Sequence, residues 1–217
     1  VACGAQDQKC AALGAGIHPK RATVSLGTAS CISLLTTAPA LDEKMRIPCF
    51  SYLHPNEWIL EGVTTCASAY DWYRNTYETG RSYAEQDALV EKARQDPQDP
   101  VFFYPFFSGA TSPYWHANAK PTFTGMSFRT TRELMFRSVL EGIACNIRAN
   151  LDAMEEIFNT ADELCVYGGL AKSSFYPQMI ADMTKKNVIV PHCPETALFG
   201  AALLAQYACG KEAALAE

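Results

Sequence analysis

Long apolar runs, paired cysteines and the most familiar phosphate-binding motifs are all missing from this sequence of 217 residues. Its longest apolar runs fall far short of a membrane span, so we expect no membrane segment. The net charge of −5 argues against a nucleic-acid-binding surface. The six-residue glycine fingerprint of dinucleotide-binding proteins and the lysine-containing Walker A loop are both absent. Proteins that use those two motifs are therefore excluded.

The nine cysteines form no CxxC pair, and most of them lie in apolar or small-residue runs. This usage is typical of reduced, buried thiols and favours a cytoplasmic protein. The four histidines are isolated from one another and from cysteine pairs, so the sequence predicts no zinc site. The chain does not begin with methionine, and its first residues resemble the interior of a domain. We therefore expect it to be a piece of a longer protein.

The most informative stretch begins with the apolar residues 164–167, which predict a short buried strand. Gly168 and Gly169 follow, and Ser173 or Ser174 can cap the helix predicted after them. A strand, a glycine turn and a helix N-terminus bring free backbone N–H groups to one point, where they can bind an anion or a nucleotide. An ordinary strand-to-helix turn would explain the same residues.

Two other segments carry candidate chemistry. Asp7 and Gln8 lie where a short helix is predicted to start. The aspartate either caps that helix or accepts a proton from a hydroxyl, with Gln8 holding a neighbouring hydroxyl. Residues 22–36 predict a β-hairpin with Gly27 and Thr28 at its tip. Such a tip is either a plain turn or a cradle of backbone N–H groups for a phosphate.

Elsewhere the spacing of apolar residues predicts an alternation of strands and helices, which is typical of an α/β protein. We expect a loop and an edge strand at 39–60, a helix with an aromatic core face at 64–77, a helical excursion and loop at 78–100, a buried strand and an ordered loop at 101–127, the longest helix at 131–158, a strand at 187–191, and a helix at 195–209 that ends at Gly210.

Taken together and in this order, the motifs resemble the C-terminal half of the FGGY carbohydrate kinases. The matching segments are GAQDQ at 4–8, SLGTAS at 25–30, FFSGATSPYW at 106–115, FTGMS at 123–127, RSVLEGIACNIR at 137–148, GGLAKSS at 168–174, QMIADM at 178–183 and ETALFGAALLA at 195–205. The resemblance implies that residues 1–217 form the family's C-terminal lobe, without its N-terminal lobe. It also implies an α/β fold of the ribonuclease-H-like, actin-type ATPase class, with a mixed sheet and helices on both faces.

The resemblance further implies ATP- and Mg²⁺-dependent phosphorylation of a sugar or polyol hydroxyl. The implied site residues are Asp7 as catalytic base and sugar contact, Gln8 as a sugar contact, Gly27 and Thr28 facing the transferred phosphate, Gly168 and Gly169 against the adenosine, Ser173 at the base, and Ala67 where glycerol kinases have a nucleotide-contacting glycine. The residues around Ala67 resemble the xylulose kinase branch more closely. No protein ligand for the metal is implied, and the sugar is not specified.

The sequence also departs from the family pattern. His116-Ala117 and Lys120-Pro121 stand where the family usually has Asp-Pro and Arg-Gly, and Ala29 replaces a common serine. Two alternatives therefore stay open: an actin- or chaperone-like ATPase lobe, and a sugar-kinase-like binding protein without catalysis. A homodimer is compatible with the sequence. Because most sugar contacts of the family lie in the other lobe, we expect the isolated chain to bind nucleotide weakly and to catalyse nothing.

Overall fold

The computed structural model describes residues 4–93, 95–97, 99–158 and 160–210. Its elements in chain order are α1 (Asp7–Gly14), β1 (Arg21–Ser25), β2 (Ala29–Thr36), β3 (Cys49–Ser51), β4 (Trp58–Thr65), α2 (Ala67–Tyr77), α3 (Tyr83–Lys92), β5 (Phe102–Tyr104), β6 (Thr122–Thr124), α4 (Arg132–Ile157), β7 (Glu163–Tyr167), a 3-10 turn (Leu170–Lys172), α5 (Tyr176–Thr184), β8 (Asn187–Ile189) and α6 (Thr196–Ala208). Within these ranges, every helix is too short or too polar to cross a bilayer.

Six of the strands form one mixed sheet in the order β3-β4-β2-β1-β7-β8. Strands β1, β7 and β8 are parallel, whereas β3, β4 and β2 pair antiparallel with their neighbours. The predicted hairpin is confirmed, because β1 and β2 pair with Thr23 opposite Ser33. Both β1 and β7 end at the same edge of the sheet, with Ser25 beside Tyr167.

Helices cover both faces of this sheet, as expected. Strand β7 contacts both helical layers, because alternate side chains along a strand point to opposite faces of the sheet. Leu164 and Val166 belong to the main core, in which α4 is the central helix. Cys165 and Tyr167 pack instead with Ala11 of α1. The α/β class with a mixed sheet between two helical layers is therefore confirmed.

Helix α1 is fixed by a close crossing with α6. A Cβ atom at Gly200 would overlap the carbonyl oxygen of Cys10, so the two backbones touch where glycine stands. The ion pair between Lys9 Nζ and Glu61 Oε2, at 2.8 Å, ties the first turn of α1 to β4. The Tyr52 hydroxyl also donates to the carbonyl oxygen of Lys9, at 3.2 Å. These contacts hold the start of α1 against the sheet.

Two expectations about strands were wrong. The segment Trp58–Thr65 is an inner strand, because β4 pairs with both β2 and β3, and the helix expected from residue 64 begins only at Ala67. Strand β5 is not a buried strand of the main sheet. It pairs with β6 alone, and Phe103 is buried against α4, whereas Phe102 and Tyr104 are exposed.

The long helix, the final helix and the aromatic core face were predicted correctly. Thr131 caps α4 by accepting a hydrogen bond from the backbone N–H of Leu134, and Tyr70 and Tyr73 are buried on α2.

Among the described cysteines, the expectation of burial holds for only half. Those that are buried are Cys10, Cys31, Cys66 and Cys165.

Candidate functional site

The turn formed by Gly168 and Gly169, called the glycine turn below, lies directly against the chain that follows β1. The Leu26 N–H donates to the carbonyl oxygen of Tyr167 at 2.6 Å, and the Leu170 N–H donates to that of Leu26 at 3.3 Å. Gly168 has φ +105°, and a Cβ there would lie 2.9 Å from the Leu26 carbonyl group. Both the backbone angle and the close approach therefore require glycine at this position.

The hairpin tip, Gly27 and Thr28, touches the start of α2 on its other side. The Ala67 N–H donates to the carbonyl oxygen of Gly27 at 2.9 Å. The Thr28 carbonyl oxygen accepts from the backbone N–H of Ser68 at 3.2 Å and from its hydroxyl at 2.9 Å. These bonds satisfy N–H groups that a helix start leaves free. The hairpin tip thus joins the glycine turn to α2 along one edge of the sheet.

A cleft of about 640 Å³ opens beside this edge, between α2, α3 and the segment after β7. Three of the nucleotide-contacting residues implied by the family resemblance line it: Ala67, Gly169 and Ser173. Further side chains that α2 and α3 contribute are Tyr70, Asp71, Tyr83, Asp87 and Glu91. The cleft is called the α2–α3 cleft below. It begins at Ala67 and Gly169, next to the hairpin tip and the glycine turn.

Ser173 was expected to cap a helix that starts directly after the glycine turn, and the structure differs from that expectation. A 3-10 turn separates the glycine turn from α5, which begins at Tyr176 with Phe175 as its N-cap residue. The Ser173 hydroxyl oxygen still accepts a hydrogen bond from the Tyr176 N–H, at 3.3 Å. Consequently the helix start is not open to an anion at the glycine turn, and Ser173 is held on the wall of the cleft.

Asp87, on α3, is a titratable group of the cleft with a perturbed pKa. Burial raises the pKa of its carboxyl group, and the nearby charge of Glu91 acts in the same direction. The hydroxyls of Ser173 and Tyr70, which favour the charged form of the carboxyl group, oppose that rise. Tyr70 is only 2% exposed, so its hydroxyl is held in place by the core. Three side chains from three segments therefore form one polar wall.

Asp7 and Gln8 lie on the α1 side of the sheet and do not line the α2–α3 cleft. Asp7 is the exposed first residue of α1, and its carboxylate accepts from the Gln8 N–H at 2.8 Å. The N-cap residue is Gln6, so Asp7 does not have the capping role. The pKa of the Cys31 thiol is raised to about 11 by burial and then by Glu61, with a smaller contribution from Asp7.

The residues that sequence reasoning missed are the side chains of α3 and the polar face of α2. Tyr83, Asp87 and Glu91 recur every four residues, which places them on one face of a helix. That spacing could have identified a polar face. It could not have shown that the face turns toward the glycine turn, because this depends on how α3 packs against α4.

Two further observations bear on ligands. Among the described residues, no three His, Cys, Asp or Glu side chains are grouped so as to hold a metal ion. A second cleft of about 640 Å³ lies between α4 and the aromatic residues of β5, and it contains none of the site residues singled out in the sequence. Its lining includes Phe103, Tyr104 and Tyr114 and is largely apolar.

Comparison with known proteins gives a consistent result. Residues 22–209 match the model of the FGGY family of carbohydrate kinases, C-terminal domain. A gluconokinase from Bacillus licheniformis is 29% identical over 96% of this chain and 43% of its own length, and a xylulose kinase from Staphylococcus epidermidis is 27% identical over 97% and 42%. The crystal structure of a xyloylose kinase from Brucella ovis superposes with a TM-score of 0.85 at 29% identity, covering 95% of this chain and 43% of that one.

The chain thus spans less than half the length of the relatives that it matches. The family model covers most of its described residues, from β1 to the last helix. The match includes the hairpin tip, the α2–α3 cleft and the glycine turn. The protein chain belongs to the FGGY family of carbohydrate kinases.

Proposed function

We propose that this chain is the C-terminal lobe of a kinase that transfers the terminal phosphate of ATP to a hydroxyl group of a sugar or polyol. The observation that carries the proposal is the continuous line formed by the hairpin tip, the glycine turn and the α2–α3 cleft. A nucleoside triphosphate needs such a combination, with a cleft for its base and close backbone approach for its phosphates.

The charge distribution sets the orientation of the nucleotide in this proposal. Asp71, Asp87 and Glu91 line the cleft, whereas Lys172 is the single basic residue among the described residues that line it. Carboxylates at close range repel a triphosphate. The base therefore occupies the end of the cleft at α3, the adenosine lies against the glycine turn, and the phosphates extend toward Gly27 and Thr28.

Asp7 is the general base in this proposal. Its carboxylate is exposed at the start of α1, where it can accept the proton of a substrate hydroxyl that attacks the terminal phosphate. Gln8, the next residue of α1, is half-buried and is the second sugar contact in this proposal. The pair Asp7 and Gln8 would thus bind and deprotonate one end of the acceptor.

Mg²⁺ would neutralise charge on the phosphate oxygens during transfer. Sites of this type hold the ion mainly through phosphates and water, with one or two carboxylates, so a preformed cage of three side chains is not required. In this proposal Asp7, whose carboxylate is exposed, can serve as one of those carboxylates. A second lobe would supply the remaining sugar contacts and close the site.

The test is an acceptor panel. The full-length protein that contains this chain is given ATP, Mg²⁺ and single ketoses, polyols or aldonates, and ADP release is followed. We expect turnover that depends on one class of acceptor. ATP hydrolysis at the same rate without any acceptor would indicate an actin-like ATPase instead. Nucleotide binding with no turnover on any acceptor would indicate a binding protein. The isolated chain is expected to show no turnover.

A further inference from the structure

The first turn of α1, which carries Asp7, depends on contacts outside the helix for its position. Within the described residues its N-cap residue Gln6 makes no side-chain capping hydrogen bond, and the Asp7 carboxylate accepts from the adjacent N–H of Gln8. The close crossing with α6 lies further along the helix, at Cys10 and Gly14. The location of Asp7 is therefore set by the contacts that join this first turn to the sheet.

Lys9 supplies such contacts, and they come from the hairpin formed by β3, β4 and the loop between them. The Lys9 ammonium group lies 2.8 Å from Glu61 Oε2 on β4 and 4.6 Å from the ring centroid of Phe50 on β3. The Lys9 carbonyl oxygen accepts from the Tyr52 hydroxyl at 3.2 Å. Lys9 is thus held through its side chain and through its backbone, two residues after Asp7.

The ion pair of Lys9 and Glu61 is largely enclosed, since 15% of the lysine side chain and 9% of the glutamate side chain are exposed. The cost of taking two charges out of water can exceed the attraction between them, so a buried ion pair adds little to stability. Two apolar side chains of similar size would hold the helix as firmly. What a directed contact between two charges adds is one defined arrangement of the two elements.

We infer that Lys9 and Glu61 are positioning residues, which hold Asp7 where it can take the proton of the substrate hydroxyl. The inference rests on the proposed function, because it assumes that Asp7 is the general base. A general base must lie within about 2.6–3.2 Å of the atom whose proton it removes. A displacement of about 1 Å at the reacting groups can lower the rate about 10²-fold.

The first experiment compares Lys9→Met with Lys186→Met in the full-length protein. Lys186 is the matched control, because it forms an ion pair of similar burial with Glu155 of α4, at 2.5 Å, and this pair does not line the α2–α3 cleft. Each variant leaves a largely buried carboxylate without its partner, so both should unfold at a lower temperature. We expect kcat to fall about 10²-fold in Lys9→Met and to stay at the wild-type value in Lys186→Met.

Affinity for ATP is the second measurement on the same variants. Neither Lys9 nor Glu61 is among the described residues that line the α2–α3 cleft. The Kd for ATP should therefore stay unchanged in Lys9→Met while kcat falls. An equal loss of ATP affinity and of kcat would mean that the nucleotide site is disturbed as a whole, and it would overturn the inference.

The second experiment separates positioning from stability. Lys9→Arg keeps a cation that can bond with Glu61, so kcat should stay within about 10-fold of the wild type. The double variant Lys9→Met, Glu61→Leu removes both charges, and replacing a buried ion pair by apolar side chains is often neutral for stability. We expect this variant to unfold near the wild-type temperature and still to have a kcat about 10²-fold low.

The outcomes separate this inference from the proposed function. Wild-type kcat in the double variant, or in Lys9→Met, would show that the pair only stabilises the fold and would leave the proposed kinase function intact. Absence of turnover by the unmodified protein on every acceptor would overturn the proposed function, and the inference with it. If Lys9→Met does not fold, the double variant decides the question. A double variant that does not fold would show that the fold itself requires the pair, which would also overturn the inference.

Discussion

The two ends of the proposed nucleotide path differ in whether backbone or side-chain atoms form them. At the phosphate end, which extends from the hairpin tip to the glycine turn beside the proposed ribose position, the contacts among the hairpin tip, the glycine turn and the start of α2 are made mostly by backbone groups. At the base end, the wall is made by side chains of Tyr70, Asp87 and Ser173 from three different segments. Backbone contacts can fix the position of a nucleotide whatever the side chains are, whereas side-chain contacts determine which nucleotide is preferred.

This difference predicts different effects for substitutions at the two ends. Changes at the phosphate end should alter turnover or stability, because they disturb geometry that all nucleotides share. Changes at the base end should alter the choice of nucleotide and leave the fold intact, since Asp87 and Ser173 lie on the wall of an open cleft. The following substitutions test that division.

The largest expected effect is on turnover, from Asp7→Asn in the full-length protein. Removing a general base typically lowers the rate by about 10²- to 10⁴-fold. Asp7 does not line the α2–α3 cleft, so ATP affinity should stay nearly unchanged. Steady-state turnover and equilibrium binding of ATP are the two measurements. Wild-type turnover in this variant would show that Asp7 is not the base.

The next effect is on stability, from Gly168→Ala. A side chain at φ +105° is strained, and its Cβ would lie 2.9 Å from the backbone of Leu26. We expect a loss of about 2–4 kcal/mol in the free energy of unfolding. Denaturant unfolding of the full-length protein measures it. A variant as stable as the wild type would mean that the glycine turn does not pack against Leu26 in this way.

Gly169→Ala is the matched control and has the smallest expected effect on the fold. Its φ is −60°, and a Cβ there would meet only the Leu26 carbonyl oxygen, at 3.9 Å. Stability should change by less than about 1 kcal/mol. Because Gly169 lines the cleft, the added methyl group should lower ATP affinity by roughly 10-fold, given ~1–3 kcal/mol for overpacking a site. Unchanged affinity would place the adenosine away from the glycine turn.

The same difference explains how much was predictable from the sequence. The hairpin tip and the glycine turn each follow an apolar strand, and a short local pattern is enough to recognise them. The role proposed for Asp7 depends on the surrounding family motif and not on a local pattern. Local patterns thus predict the conformation at the proposed phosphate end, because it depends on a few adjacent residues.

The base end depends on packing between distant segments. Asp87 meets Ser173 across 86 residues, and nothing in the periodicity of α3 shows which element its polar face will meet. The inner strand β4 was missed for a related reason. It contains Glu61 and Gly62, which weaken a strand pattern, and its position is set by pairing with β2 and β3.

The central claim is that the nucleotide lies along one path from α3 to the hairpin tip. Its most direct test is a crystal structure of the full-length protein with Mg²⁺ and a non-hydrolysable ATP analogue. We expect the base beside Asp87, the ribose at Gly169, and the phosphates over Gly27 and Thr28. A nucleotide bound in the apolar cleft at Phe103, or bound in the α2–α3 cleft with its phosphates beside Asp87, would contradict the claim.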